Sequence, residues 1–342
     1  MSTTVVLRAA APLLAPLDAL RSAVLRALGR PGRVFLVDRD ARVALYGAVG
    51  VLSSLTLTAL APLWLLAFGP LLLGVPHLLA DARYLVARPR LHTRVGFWLL
   101  IAAPLALTFV QPHAPIGLAA VIGAALLARG SVGRRAIVLL VAAVLLFLAM
   151  THVRLADVAM AHLHNVIAIA IWIAWAPRDA RQTRAGWRLV PVALFVIATA
   201  LVLSGHFDSA LEAPLAARGL ALGGMRSALS PLRDATWSGR FVLFFAFAQS
   251  VHYVIWLRLV PEEDRPRRGL RSFAASWRAL VDDMGWAVPL LFVLATIALA
   301  AWGVLDPRAA RLLYLRLAIF HGPLEVAVAA LFFIERRSLR AS

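Results

Sequence analysis

Cysteine is absent from the chain, which removes disulfides, thiolate metal ligands, cysteine-held iron-sulfur clusters and CxxCH haem attachment from consideration. Any metal must be held by histidine, carboxylate or amide groups. Lysine is absent as well, so all 35 basic residues are arginine. Beside abundant alanine and leucine this reflects GC-rich codon use and carries no functional information. Charged residues of either sign are scarce, 15% of the chain against 62% hydrophobic, where a soluble domain is roughly 45–50% apolar. Such a chain has too little polar surface to face water. A cleavable signal peptide is not expected, because the first 42 residues hold seven arginines and no signal-type apolar core followed by a small-residue cleavage site.

What is present instead is a series of apolar runs of the length that crosses a hydrocarbon core about 30 Å thick. They fall at 43–60, 62–87, 95–111, 115–128, 136–151, 154–176, 187–205, 238–260, 285–304 and 310–335. The pattern predicts an all-α, polytopic transmembrane bundle of about ten spans over 43–336, the fourth and fifth being the shortest. Segment 1–42 reads as cytoplasmic, with an amphipathic helix from Val5 to Leu28 lying on the membrane surface, and 337–342 as a cytoplasmic tail. Positively charged loops stay inside. With an inside N-terminus, the inner segments collect 27 arginines and the outer ones 8, which supports ten spans with both termini cytoplasmic. The net charge of +18 therefore belongs to membrane orientation and not to nucleic acid. The expected location is the bacterial inner (plasma) membrane, with the lipid bilayer as partner. Two loops are long, an outer one at 206–237 placed to cover a cavity mouth and an inner one at 261–283. The mixed-charge run EEDRPRRG in the inner loop reads as a solvated surface.

Ionisable residues inside spans are costly and tend to mark sites. Of nine histidines, His92, His113, His152 and His206 fall at span ends or in loops, whereas His77, His162, His164, His252 and His321 are embedded. Their spans all run from outside to inside, so depths compare directly. His77 precedes Arg88 by 11 residues, His164 precedes Arg178 by 14 and His321 precedes Arg336 by 15. At 1.5 Å per residue these lie about 16 to 23 Å from the inner charge band. His252 precedes Arg265 by 13 and joins them if Arg258 snorkels. Four helices thus offer imidazole at one level, a pattern for a shared metal or proton site. His162 and His164 lie some 200° apart around one helix and cannot both face one point; His164 is chosen and His162 kept as the alternative ligand.

Asp81 follows His77 by four residues and Glu325 follows His321 by four, the spacing of one helix face. Both carboxylates are expected as outer partners that take the second ring proton of a ligating imidazole, or as groups that meet a histidine on another helix or bind metal themselves. Gln249 and Asn165 add polar groups nearby. Trp98, Trp187, Trp237 and Trp286 sit near span ends as interfacial anchors. Phe244, Phe245 and Phe247 suit helix packing or an apolar channel.

The run Gly74-Val75-Pro76-His77-Leu78-Leu79-Ala80-Asp81 resembles the G-x-P-H-x-x-x-D segment of the Brp/Blh family, bacterial membrane β-carotene 15,15′-dioxygenases. The aromatic stretch Phe244 to Tyr253 is similar to that family's later histidine helix, although Trp256 stands where the family has a second histidine. The resemblance implies a four-histidine non-haem Fe(II) at His77, His164, His252 and His321, with O2 and an apolar carotenoid as substrates. Two other classes stay open at this point: a proton- or ion-coupled transporter, and a b-haem protein with His164 paired to His252 or His77 to His321.

Overall fold

The computed structural model describes residues 3–174, 185–212, 222–265 and 269–336. The expected tail at 337–342, residues 213–221 of the outer loop and residues 266–268 of the inner one lie outside these. Every regular element among the described residues is helical. Two helices, α1 (Thr3–Ala27) and α2 (Gly29–Val37), precede the apolar helices. Among the described residues, eight helices are long and apolar enough to cross a membrane: α3 (Arg39–Leu60), α4 (Pro62–Ala87), α7 (Val132–Thr151), α8 (Val153–Ala174), α9 (Gly186–Leu203), α11 (Ala235–Glu263), α13 (Ala287–Leu305) and α14 (Pro307–Glu335). Between them lie the shorter apolar helices α5 (Val95–Leu107) and α6 (Ala114–Leu127), the loop helix α10 (Leu222–Leu229), and α12 (Phe273–Met284).

The short pair is therefore the third and fourth apolar run, not the fourth and fifth. At 1.5 Å per residue α5 and α6 are each about 20 Å long. The fifth run gains a turn because Ser131 caps it, its side chain accepting from the Arg134 N–H. The third run loses its last residues to a turn at 108–111 ahead of Pro112, through which a helix cannot continue.

Burial separates the helices by role. The most apolar window of α11 is 72% buried and those of α4 and α14 are 56% buried, whereas α7 and α13 bury only 11%. Helices α7, α9 and α13 thus present leucine, valine and phenylalanine outward, the composition a lipid-facing surface requires. Close approach inside the bundle uses glycine: at Gly123 of α6 any Cβ would overlap the backbone carbonyl of Leu100 in α5.

Helix α4 is not a regular α-helix. Pro70 and Pro76 remove two backbone donors, and π-helical turns at Pro70–Gly74 and Ala82–Ala87 bracket about two α-helical turns, Val75–Asp81. The carbonyl of Leu66, four residues before Pro70, has lost its helical partner. Arg311 of α14 fills the vacancy, its Nε donating to Leu66 at 2.9 Å. Another π-turn, Ile255–Leu259, follows His252 within α11. In α14 the helical hydrogen bonding lapses at Ile319 and Phe320, just before His321 and Pro323.

One end of the bundle carries a dense charge network, and it corrects the reading of the EEDR half of EEDRPRRG as a solvated surface, residues 266–268 lying outside the described ones. Glu262, Glu263, Asp264 and Arg265 are all buried. Glu262 accepts from Arg42 Nε and Nη2 at 2.9 and 2.7 Å and pairs with Arg265, Glu263 pairs with Arg188, and Asp264 pairs with Arg88. Desolvation among the guanidiniums of Arg42, Arg258 and Arg39 holds Arg265 below its ordinary pKa. Helices α3, α4, α9 and α11 are thereby tied together at one face. The N-terminal helix docks at the same face, where Asp18 accepts from the Phe273 N–H at 2.9 Å at the start of α12 and Arg21 Nη2 donates to the Arg271 carbonyl. The end of α14 lies there too, through Glu335 and Arg94 at 2.9 Å. Leu13, Leu17, Leu20 and Val24 form an exposed apolar row on α1, as a helix lying in an interface would present.

Candidate metal centre

Four imidazoles converge in the middle of the bundle, one each from α4, α8, α11 and α14. Ring centroids are 4.6 Å apart for His77 and His252, 4.9 Å for His77 and His321, 5.1 Å for His164 and His252, and 5.0 Å for His164 and His321. His77, His164 and His252 are buried, and His321 is nearly so. The irregular helices explain the convergence. A π-turn on each side of Val75–Asp81 resets the angular phase of α4, so His77 can face the axis while the flanking leucines pack outward. Gly74 leaves the space that the Tyr314 ring fills, and Gly322 lets α14 approach the backbone side of His164.

The ring nitrogens are arranged unequally. Nδ1 of His164 donates to the Met160 carbonyl at 3.0 Å, and Nδ1 of His321 donates to the Ala318 carbonyl. A carbonyl can only accept, so in both rings the proton sits on Nδ1 and the Nε2 lone pair is free. His77 and His252 meet through Nε2 at 2.7 Å, while their Nδ1 atoms are buried without a hydrogen bond. Two facing Nε2 atoms share at most one proton, or turn both lone pairs to a common cation.

The carboxylates lie at this same edge. Asp81 Oδ2 is 3.3 Å from His77 Nε2, and Glu325 Oε1 is 4.0 Å from His77 Nε2 and 3.7 Å from His252 Nε2. All four carboxylate oxygens are buried without hydrogen bonds. The expected contact to the second ring nitrogen is thus not what forms, because one turn of helix carries Asp81 to the Nε2 edge of His77. Glu325 reaches across to α4 and α11. Ligand atoms of His77, His252 and His321, and separately of His77, Asp81 and Glu325, all lie within 4.8 Å of one another. Buried donors without protons to spare and acids without donors are what a divalent cation would satisfy.

Other expected residues divide. His162 points away: its Nε2 meets the Leu229 carbonyl at 2.8 Å and its ring stacks on Phe244. We expect His162→Ala to lower stability by about 1 kcal/mol, from the lost hydrogen bond, and to leave metal content unchanged. Thermal unfolding and elemental analysis of one preparation check both. Asn165 donates to Ala161 on its own helix. Phe247 packs on Phe195, whereas Phe245 and Gln249 line a cavity of about 230 Å³ bounded also by His164, His321, Tyr314 and Pro323. That cavity runs to the hydrogen-bonded pair of His113 and Asp157, Nδ1 to Oδ2 at 2.9 Å, at the surface away from the charge network. Its described lining comes from the α5–α6 connection, the start of α6, α8, α11 and α14, not from the long loop at 206–237. A second, apolar groove of about 460 Å³ runs between α4, α5 and α14, lined by Val86, Phe97, Trp98, Phe109, Phe320 and Leu324. Phe320 and Leu324 each precede a site residue in α14.

Three buried residues near the centre carry no sequence signal that singled them out. Tyr253 lies 5.5 Å from His77 between ring centroids, Tyr314 walls the cavity, and Arg311 is a structural donor and not a loop charge. Adjacency of Tyr253 to His252 was the one available hint.

The two histidine pairs considered for haem sit ring against ring, with the other pair alongside, so neither brackets space for a porphyrin. No family model, curated protein or solved structure matches this chain.

Proposed function

We propose that this chain is a membrane-embedded non-haem iron enzyme that acts oxidatively on a lipid-soluble substrate. In this reading it has ten crossings, with α5 and α6 as short spans, and both termini lie in the cytoplasm of a bacterial inner membrane. The observation that carries the reading is the meeting of His77, His164, His252 and His321 from four helices beside two buried carboxylates. Bound among them, Fe(II) would supply open positions for O2. The chain's own residues do the rest. Met160 and Ala318 fix the ring protons of His164 and His321, the buried acids balance the cation's charge, and surrounding leucines and phenylalanines keep out bulk water. Val86, Phe97, Phe320 and Leu324 offer a polyene or acyl chain an apolar groove open to the bilayer. Carotenoid cleavage is the substrate class that the Gly74–Asp81 resemblance implies.

The test is elemental analysis and an absorption spectrum of detergent-purified protein, followed by O2 consumption with carotenoid in micelles. About one iron per chain without a Soret band, and carotenoid-dependent O2 uptake, are the expected results. Absence of any metal after anaerobic Fe(II) reconstitution sinks the reading. It would leave a proton-coupled carrier, which the cavity from Asp157 to His164 and His321 favours.

A further inference from the structure

We infer that Glu325 is a direct metal ligand, which together with His77 and His252 forms a set of two imidazoles and one carboxylate. This rests on the metal reading above and specifies where in the cluster the ion sits. Donors at about 2.0–2.2 Å from one ion lie no more than roughly 4.4 Å apart. The three atoms meet that limit, with His77 Nε2 and His252 Nε2 separated by 2.7 Å and Glu325 Oε1 lying 3.7 and 4.0 Å from them.

The edge of contact separates a ligand from an orienting partner. A carboxylate that orients a ligating imidazole binds the ring nitrogen that faces away from the metal. Glu325 instead faces Nε2 of both rings, the nitrogens that face each other, and both Nδ1 atoms are left without a hydrogen bond. Compensation is thin: Glu325 is 0% exposed, neither of its oxygens has a well-formed hydrogen bond, and the Trp256 indole N–H beside it is a single neutral donor that does not balance a carboxylate charge. Burying an unpaired carboxylate at this depth is expensive, and a coordinated cation removes the expense. Asp81 also meets an Nε2 edge, at 3.3 Å, but its contact is with His77 of its own helix, whereas Glu325 spans the Nε2 atoms of His77 and His252. Two imidazoles and a carboxylate are the donor set of non-haem Fe(II) centres that keep open positions. His164 and His321, with the cavity beside them, then line the side from which O2 approaches.

The experiment is Fe(II) binding to metal-stripped protein in detergent under argon, in wild type, Glu325→Gln and Asp81→Asn, read by elemental analysis and infrared difference spectra. A group acting only through a ligand costs roughly 10- to 100-fold in affinity. Glu325→Gln is expected to exceed the top of that range and Asp81→Asn to stay within it. Wild type and Asp81→Asn should show an iron-dependent shift of a carboxylate stretch that Glu325→Gln lacks. Should Glu325→Gln fail to fold, wild type alone decides: iron binding with no carboxylate shift overturns the inference. So does an unchanged shift in a folded Glu325→Gln. Wild type that binds no iron overturns the metal reading itself, and this inference with it.

Discussion

Replacing His77 with alanine is expected to abolish metal binding and, with it, all metal-dependent stabilisation of the fold. His77 is fully buried and meets His252, Asp81, Glu325 and His321. A ligand that binds only the folded state stabilises it by about 2.7 kcal/mol when present at 100 times its Kd. Thermal unfolding in detergent, with and without Fe(II) under argon, should therefore rise on addition for wild type and stay flat for His77→Ala. The substitution also strands Asp81 beside an empty space, so the metal-free variant should unfold below metal-free wild type by about 1–3 kcal/mol. A variant that still binds one ion with unchanged affinity would remove His77, and the bundle centre, from the function.

The second large effect lies at the other end of the molecule. Glu262→Ala is expected to cost about 3–5 kcal/mol, the scale for breaking a buried ion pair by removing one partner. Arg42 is 0% exposed and gives Nε and Nη2 to Glu262, while its Nη1 donates to the carbonyls of Phe35 and Leu36 at 2.8 and 3.1 Å. Without Glu262, the guanidiniums of Arg42, Arg258 and Arg265 face one another with their shared counter-charge gone. Exchanging the pair together, as Arg42→Met with Glu262→Leu, should recover only part of the loss, because it removes the stranded Arg42 charge but leaves Arg258 and Arg265 without their shared acid and the Phe35 and Leu36 carbonyls without their donor. Thermal unfolding of the single and double variants is the measurement. A single variant within a few tenths of a kcal/mol of wild type would mean that water reaches Arg42.

What could be read from the sequence follows the range of the forces involved. Apolar run length is local, so the long helices were legible. The common depth of His77, His164, His252 and His321 was legible too, since helical rise converts residue counts from an arginine into distance. The 200° between His162 and His164 showed that only one could face the site, and the structure turns His164 to the cluster and His162 to Phe244. Pairings between distant positions were not legible. Glu262 reads as a surface acid because Arg42 stands 220 residues away in the chain. The edge of His77 that Asp81 and Glu325 would meet depends on π-turns in α4 and α11, whose phase shifts no regular periodicity anticipates.

Helices α4 and α14 are joined above the site where Arg311 takes the carbonyl freed by Pro70, and α3, α4, α9 and α11 are bound below it by the acids from Glu262 to Asp264. Helix α4, fastened on both sides of His77, cannot tilt like a stave of a loosened cask. The groove between α4, α5 and α14 thus keeps one immovable wall, so any widening of it is a movement of α5 or α14.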